Sequence, residues 1–110
     1  MRFSSFKYDE GIVTSEKKIQ KILLENNLPW LLEAEIDSAD VEVKNSTLIW
    51  NSGTWYWGNW HFGIWKSGDW YDGIWENGIW ENGNFINGEF RSGIMEEGTI
   101  KGRDVNIKNN

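Results

Sequence analysis

A five-residue repeat runs through more than half of the chain and limits what it can fold into. From residue 50 to residue 105, a large apolar residue, called the centre here, stands at every fifth position. A glycine stands two positions before ten consecutive centres, from Gly53 to Gly98. The centres are Trp50, Trp55, Trp60, Trp65, Trp70, Trp75, Trp80, Phe85, Phe90, Met95, Ile100 and Val105. A five-residue unit cannot bury a large side chain alone, so the units must stack on one another to form a core.

The residues between the centres predict turns. The second position after each centre is mostly Ser, Asn or Asp, and Gly follows it. Such pairs favour turns, because Asn and Asp tolerate left-handed backbone and Gly adopts it without strain. Two folds fit: a β-solenoid with every centre inward, or a flat meander of very short strands with its tryptophans on one face. The meander leaves its tryptophans uncovered, so we favour the solenoid.

Residues 34–43 show the same five-residue period with other residue types. Here Ala34-Glu35-Ile36 and Ala39-Asp40-Val41 match the A-(D/N)-L-x-x pattern of the pentapeptide-repeat family. The Trp50–Val105 region resembles that family in its period, its apolar centre and its small residue two places earlier. It departs by using Gly for Ala and Trp for Leu or Phe, an exchange that roughly conserves volume. The resemblance implies a right-handed quadrilateral β-helix.

A four-sided coil would contain four units, or twenty residues, and would stack each centre on the one twenty positions later. Trp70 would then lie on Trp50, and Tyr71 would lie beside Arg91. The predicted structural core consists of Trp50, Trp55, Trp60, Trp65, Trp70, Trp75, Trp80, Phe85 and Phe90. We place the solenoid at residues 34–107, as about three coils, and interpret Lys44–Thr47 as a corner where the repeat slips by one residue.

Residues 1–33 are predicted to form an N-terminal arm and one short capping α-helix. The arm, residues 1–14, has the pattern of a short strand or hairpin. The helix follows Ser15, a good N-cap residue, and ends before Pro29. So short a helix must dock on something, and the open end of the solenoid is the natural target. We therefore expect one compact all-β solenoid domain with a helical cap, either on its own coil or on a neighbour's.

Two residues break the turn pattern. Trp57 and Phe62 stand where Ser, Asn or Asp stands elsewhere, and with Tyr56 and His61 they predict an outward aromatic cluster. Tyr71 joins them as a candidate contact residue. Either the N-terminal segment covers this cluster, or it forms a contact surface for a partner protein or a sugar.

Composition argues against catalysis and nucleic-acid binding. The net charge is -6 and no basic groove accompanies the aromatic residues, so we expect no direct nucleic-acid contact. The chain has no cysteine, and its one histidine, His61, lacks a partner at a metal or catalytic spacing. We expect no enzyme activity, no cofactor, no metal and no small-molecule substrate. No segment has the apolar run of a signal peptide or a membrane span, which predicts a cytoplasmic or virion location and no membrane contact.

These patterns lead to three function hypotheses. The first is a non-enzymatic structural or adaptor protein, a small component of a virus particle such as a phage or of a similar assembly. It would act through protein partners or as a homo-oligomer. The second follows from the resemblance, because some pentapeptide-repeat proteins are acidic mimics of duplex DNA that bind a topoisomerase such as gyrase. The third is a carbohydrate-binding module that uses Tyr56, Trp57, Phe62 and Tyr71.

Overall fold

The computed structural model describes residues 2–100 and 106–107 and shows a β-solenoid of about three coils. In this part of the chain the helices are α1 Glu16–Glu25 and α2 Pro29–Glu33. The strands are β1 Phe3–Tyr8, β2 Gly11–Ile12, β3 Glu35–Lys44, β4 Thr47–Trp57, β5 Asn59–Trp60, β6 Ile64–Trp65, β7 Asp69–Trp70, β8 Ile74–Trp75, β9 Ile79–Trp80, β10 Asn84–Phe85, β11 Glu89–Phe90, β12 Ile94–Met95, β13 Thr99–Ile100 and β14 Asn106–Ile107. The predicted solenoid with a helical cap is confirmed, and its parallel strands exclude the meander.

Each coil has three sides, which corrects the predicted quadrilateral shape. Trp50 in β4 pairs in parallel with Trp65 in β6, and Trp65 pairs with Trp80 in β9. One coil therefore spans fifteen residues, or three units, where twenty were expected. A three-sided coil turns more sharply at each corner than a four-sided one. All ten repeat glycines have positive φ, between 105° and 141°, a range that side chains disfavour. The Gly-for-Ala exchange thus meets a backbone requirement as well as a volume requirement.

Three parallel ladders form the sides of the solenoid. The first runs through β4, β6, β9 and β12, the second through β4, β7, β10 and β13, and the third through β5, β8, β11 and β14. The long strand β4 passes around a corner and so belongs to two ladders. Two kinds of backbone hydrogen bond join successive coils. In one kind the acceptor is the carbonyl of a centre, as from Lys66 N–H to Trp50 O (2.7 Å), and in the other it is the carbonyl of a repeat glycine, as from Ile74 N–H to Gly58 O (3.0 Å).

The centres fill the interior in three stacked columns. All nine predicted core residues are at most 1% exposed. Trp50 and Trp65 stack with ring centroids 4.7 Å apart and planes 7° apart, and Trp70 stacks on Trp55 rather than on Trp50. The columns are Trp50/Trp65/Trp80, Trp55/Trp70/Phe85 and Trp60/Trp75/Phe90. Val105, the last predicted centre, lies outside the described residues.

Neighbouring columns meet edge to face. Consecutive tryptophans from Trp50 to Trp80 have centroid distances of 5.7–6.0 Å and steep interplanar angles. This arrangement sets the positive edge of one indole against the negative face of the next. Within the described residues, the Nε1–H groups of these seven indoles have no hydrogen-bond partner, so ring packing must offset their desolvation.

Residues 34–43 differ from the expectation of solenoid units. Most of them lie in β3, which pairs antiparallel with β4 through the two-residue turn Asn45–Ser46. Both turn residues have positive φ, 52° and 58°, as a tight hairpin of this length requires. The one-residue slip predicted at Lys44–Thr47 is therefore a chain reversal, and parallel stacking begins at Ile49 in β4.

The N-terminal segment caps this chain's own solenoid. Strands β1 and β2 form the expected hairpin, and β1 pairs in parallel with β3. Helix α1 begins after Ser15, whose side chain accepts from Lys18 N–H, and buries Ile19 and Leu23. The second helix, α2, was not predicted; its Trp30 ring lies 5.1 Å from that of Trp60 and so covers the first coil.

One side chain fixes α2 to the arm. Arg2 Nη2 donates to the carbonyl oxygens of Leu31 (2.9 Å) and Ala34 (2.7 Å) at the end of the helix. Burial lowers the pKa of Arg2, and the charge of Glu16 acts in the opposite direction.

Candidate functional site

At several corners of the coils, a side-chain oxygen accepts a hydrogen bond from the backbone of the next residue. Asp72 Oδ1 accepts from Gly73 N–H (2.8 Å), and Asn77 and Asn82 accept in the same way from the glycines that follow them. This bond explains why Asn or Asp precedes several of the repeat glycines. Trp57 and Phe62 occupy the same kind of corner and cannot provide it, because their side chains contain no acceptor of this kind.

The predicted aromatic residues are exposed on the first and second coils. Trp57 is 55% exposed and Phe62 is 56% exposed, and Tyr56 and Tyr71 are also exposed. The interpretation that the N-terminal segment covers Trp57 and Phe62 is therefore wrong. His61 does contact that segment, because its ring stacks on Trp30 with centroids 5.7 Å apart.

The fifteen-residue coil decides which candidates meet. Tyr71 lies one coil after Tyr56 on the same side of the solenoid, and their rings stack with centroids 5.4 Å apart. Trp57 and His61 line one small pocket of about 120 Å³ with Trp30 and Glu33. Phe62 has no ring contact in the described part of the chain.

An ion-pair cluster replaces the predicted pairing of Tyr71 with Arg91. Arg91 Nε lies 2.9 Å from Glu89 Oε2, and Arg91 Nη1 lies 3.2 Å from Glu76 Oε1. The hydrogen bond from Arg91 to Glu89 is the main cause of the raised pKa of Arg91. Glu76 and Arg91 are fifteen positions apart, so this pair follows from the three-sided coil.

A second, larger groove was not foreseen from the sequence. It has a volume of about 460 Å³ and is lined chiefly by Trp57, Asn59, Asp72, Ile74, Asn87 and Glu89. These residues form two neighbouring rows, 57/72/87 and 59/74/89, which appear only when the sequence is written in lines of fifteen. The twenty-residue arrangement separates them, which is why sequence reasoning missed the groove.

The described residues contain no group of His, Cys, Asp and Glu side chains suited to hold a metal ion. None of the helices in residues 2–100 has the length and apolar character needed to cross a membrane. Comparison with models of protein families, with curated proteins and with solved structures found no match.

Proposed function

We propose that this chain is a non-enzymatic structural or adaptor protein that joins protein partners in a larger assembly, such as a phage particle. The observation that supports the proposal most is the set of exposed aromatic side chains on the first two coils: Tyr56, Trp57, His61, Phe62 and Tyr71. They project from a core of stacked indoles. Rigid aromatic side chains on a fixed scaffold lose little conformational entropy on binding, and interfaces are enriched in them.

A further observation favours a role in assembly. Three parallel ladders of short strands form the sides of the solenoid. Stacked repeats of this kind present extended, regular surfaces to which a partner can bind. We also propose that the chain is a three-sided relative of the pentapeptide-repeat proteins. Its proposed location is the cytoplasm or the virion.

The alternative of a DNA mimic receives less support. A mimic of duplex DNA needs rows of uncompensated acidic groups, whereas Arg91 contacts both Glu76 and Glu89. Lys66 occupies the same row as Glu81 and Glu96 in the fifteen-residue coil. We therefore rank topoisomerase binding below assembly.

The test is an affinity capture from a lysate of the native source, read by mass spectrometry, with tagged wild-type protein and two variants. Phe62→Ser alters the aromatic surface, and Ile94→Ser alters an equally exposed apolar residue near the other end. Wild type and Ile94→Ser should retain capsid, neck or tail proteins, and Phe62→Ser should lose them. Capture of a topoisomerase, or of no assembly protein, would overturn the proposal.

A further inference from the structure

The groove of about 460 Å³ described above contains the one exposed tryptophan among the nine in the chain. Trp57 is 55% exposed, whereas the other eight are at most 7% exposed. It occupies the corner at which Asp72, one coil later, accepts a hydrogen bond from the glycine that follows it. The fold thus gives up a local bond where it presents a large, flat aromatic surface.

Polar side chains continue from Trp57 along the groove. Asp72 and Asn87 occupy the same corner one and two coils later, and Asn59 and Glu89 lie on the adjoining side. Asp72 is held in place because its Oδ1 accepts from Gly73 N–H, and Glu89 is held by Arg91. The oxygen of the Asn87 carboxamide is buried and has no hydrogen-bond partner within the described residues. A turn of this amide would let it bond to a ligand in the groove.

The mixture of these groups indicates the ligand class. Amide groups donate and accept hydrogen bonds, carboxylates only accept, and a sugar hydroxyl can satisfy both kinds. The C–H face of a pyranose ring matches the flat, weakly negative face of an indole. A cationic ligand would leave the amide donors of Asn59 and Asn87 without acceptors. Arg91, bound to Glu89, further reduces the attraction of the groove for a cation.

The dimensions set the length of the ligand. The groove spans three coils, and neighbouring parallel strands lie about 4.8 Å apart. We propose that it binds a short neutral oligosaccharide, with one pyranose ring on Trp57 and the next residues against Asp72, Asn87 and Glu89. This site does not depend on the assembly function, and purified protein with free sugar tests it separately.

The experiment titrates the purified protein with cellotetraose, maltotetraose, chitotetraose and mannotetraose by isothermal calorimetry. At least one sugar should bind, and Trp57→Ala should weaken its affinity at least tenfold. The matched control is Ile94→Ala, which shortens an equally exposed apolar side chain outside the groove and should leave the affinity unchanged. Unaltered near-ultraviolet circular dichroism would show that both variants retain the stacked core.

Two further measurements separate the sugar from other ligands. In a spectrum of the indole N–H groups, sugar should shift the signal of Trp57 and leave those of the buried tryptophans in place. Asp72→Asn keeps the corner acceptor, as Asn77 and Asn82 show, and removes one charge. It should change sugar affinity less than Trp57→Ala does. The proposal is overturned if none of the four sugars binds at millimolar concentration, if Trp57→Ala binds normally, or if tetralysine binds in their place.

Discussion

At the scale of single residues, the corner glycines determine how closely the coils can stack. Gly68 has a φ of 123°, and a Cβ atom there would collide with the carbonyl oxygen of Gly53 in the preceding coil. Glycine at this corner therefore serves two needs, the turn itself and the close approach of two backbones. Gly11 offers a contrast, since a Cβ there meets only Tyr8 O at 3.6 Å, an ordinary contact.

We expect Gly68→Ala to destabilise the protein by about 2–4 kcal/mol, because it combines backbone strain with a steric clash. The matched control, Gly11→Ala, should change the free energy of unfolding by less than about 0.5 kcal/mol. Urea denaturation followed by tryptophan fluorescence measures both. Equal stability of the two variants would contradict the close stacking at Gly68.

The sequence showed which residues point inward but not which of them touch. The period of five placed every centre from Trp50 to Phe90 in the core, because a large side chain at each unit has nowhere else to be buried. The number of units per coil was hidden, since all sides have the same kind of centre. A weaker signal was present one position earlier, where Ile49, Ile64, Ile79 and Ile94 recur every fifteen residues.

At the scale of elements, short strands gain stability only through their neighbours. Strands such as β6 and β9 have two residues each, too few to be stable alone. The solenoid therefore depends on which strands pair with one another. Because the chain has no cysteine, a pair of introduced cysteines can test this register without interference from other thiols.

The double variant Ile64→Cys/Ile79→Cys should form an intramolecular disulfide, because these residues are direct partners on adjacent strands. A strand spacing of about 4.8 Å lies within the Cα separation that disulfides span, about 4.4–6.8 Å. The control Ile64→Cys/Asn84→Cys joins positions twenty residues apart and should keep both thiols free, since Asn84 pairs with Asp69 on another side. A thiol assay under mild oxidation distinguishes them. A disulfide in the control alone would contradict the fifteen-residue register and support a four-sided coil.

The cap shows the same limit of prediction. Ser15 and the apolar stripe were sufficient to predict α1, because a helix start has local signals. The five-residue helix α2 has only Pro29 as a local signal, and its position depends on the contact of Trp30 with the first coil. The groove beside Trp57 was missed for a related reason, since it depends on register.

At the scale of the whole molecule, the cap and the solenoid share one core. Buried residues of α1, α2, β1 and β3 are continuous with the stacked tryptophans. The Trp30 ring lies 5.1 Å from that of Trp60 and 6.5 Å from that of Trp55, so it joins the first coil of the solenoid to the helices. We therefore expect the two parts to unfold together.

Trp30→Ala should lower the free energy of unfolding by about 3–5 kcal/mol, because it leaves a cavity between cap and coil. Leu24→Ala, an exposed position on α1, should cost less than about 0.5 kcal/mol. In the wild type, far- and near-ultraviolet circular dichroism should give coincident urea transitions. Separate transitions would show that the helices and the solenoid are independent.

The parallel indole columns also have an optical consequence. Each buried tryptophan in the first coil has a parallel neighbour 4.7–4.8 Å away, so light absorbed by one ring is shared with the next as a joint excited state. The near-ultraviolet spectrum therefore reports how rings are ordered relative to one another, in addition to whether they are buried. A coil that slipped out of register would change the near-ultraviolet spectrum even if its strands remained formed. This spectrum can therefore be used to monitor the stacking of the coils.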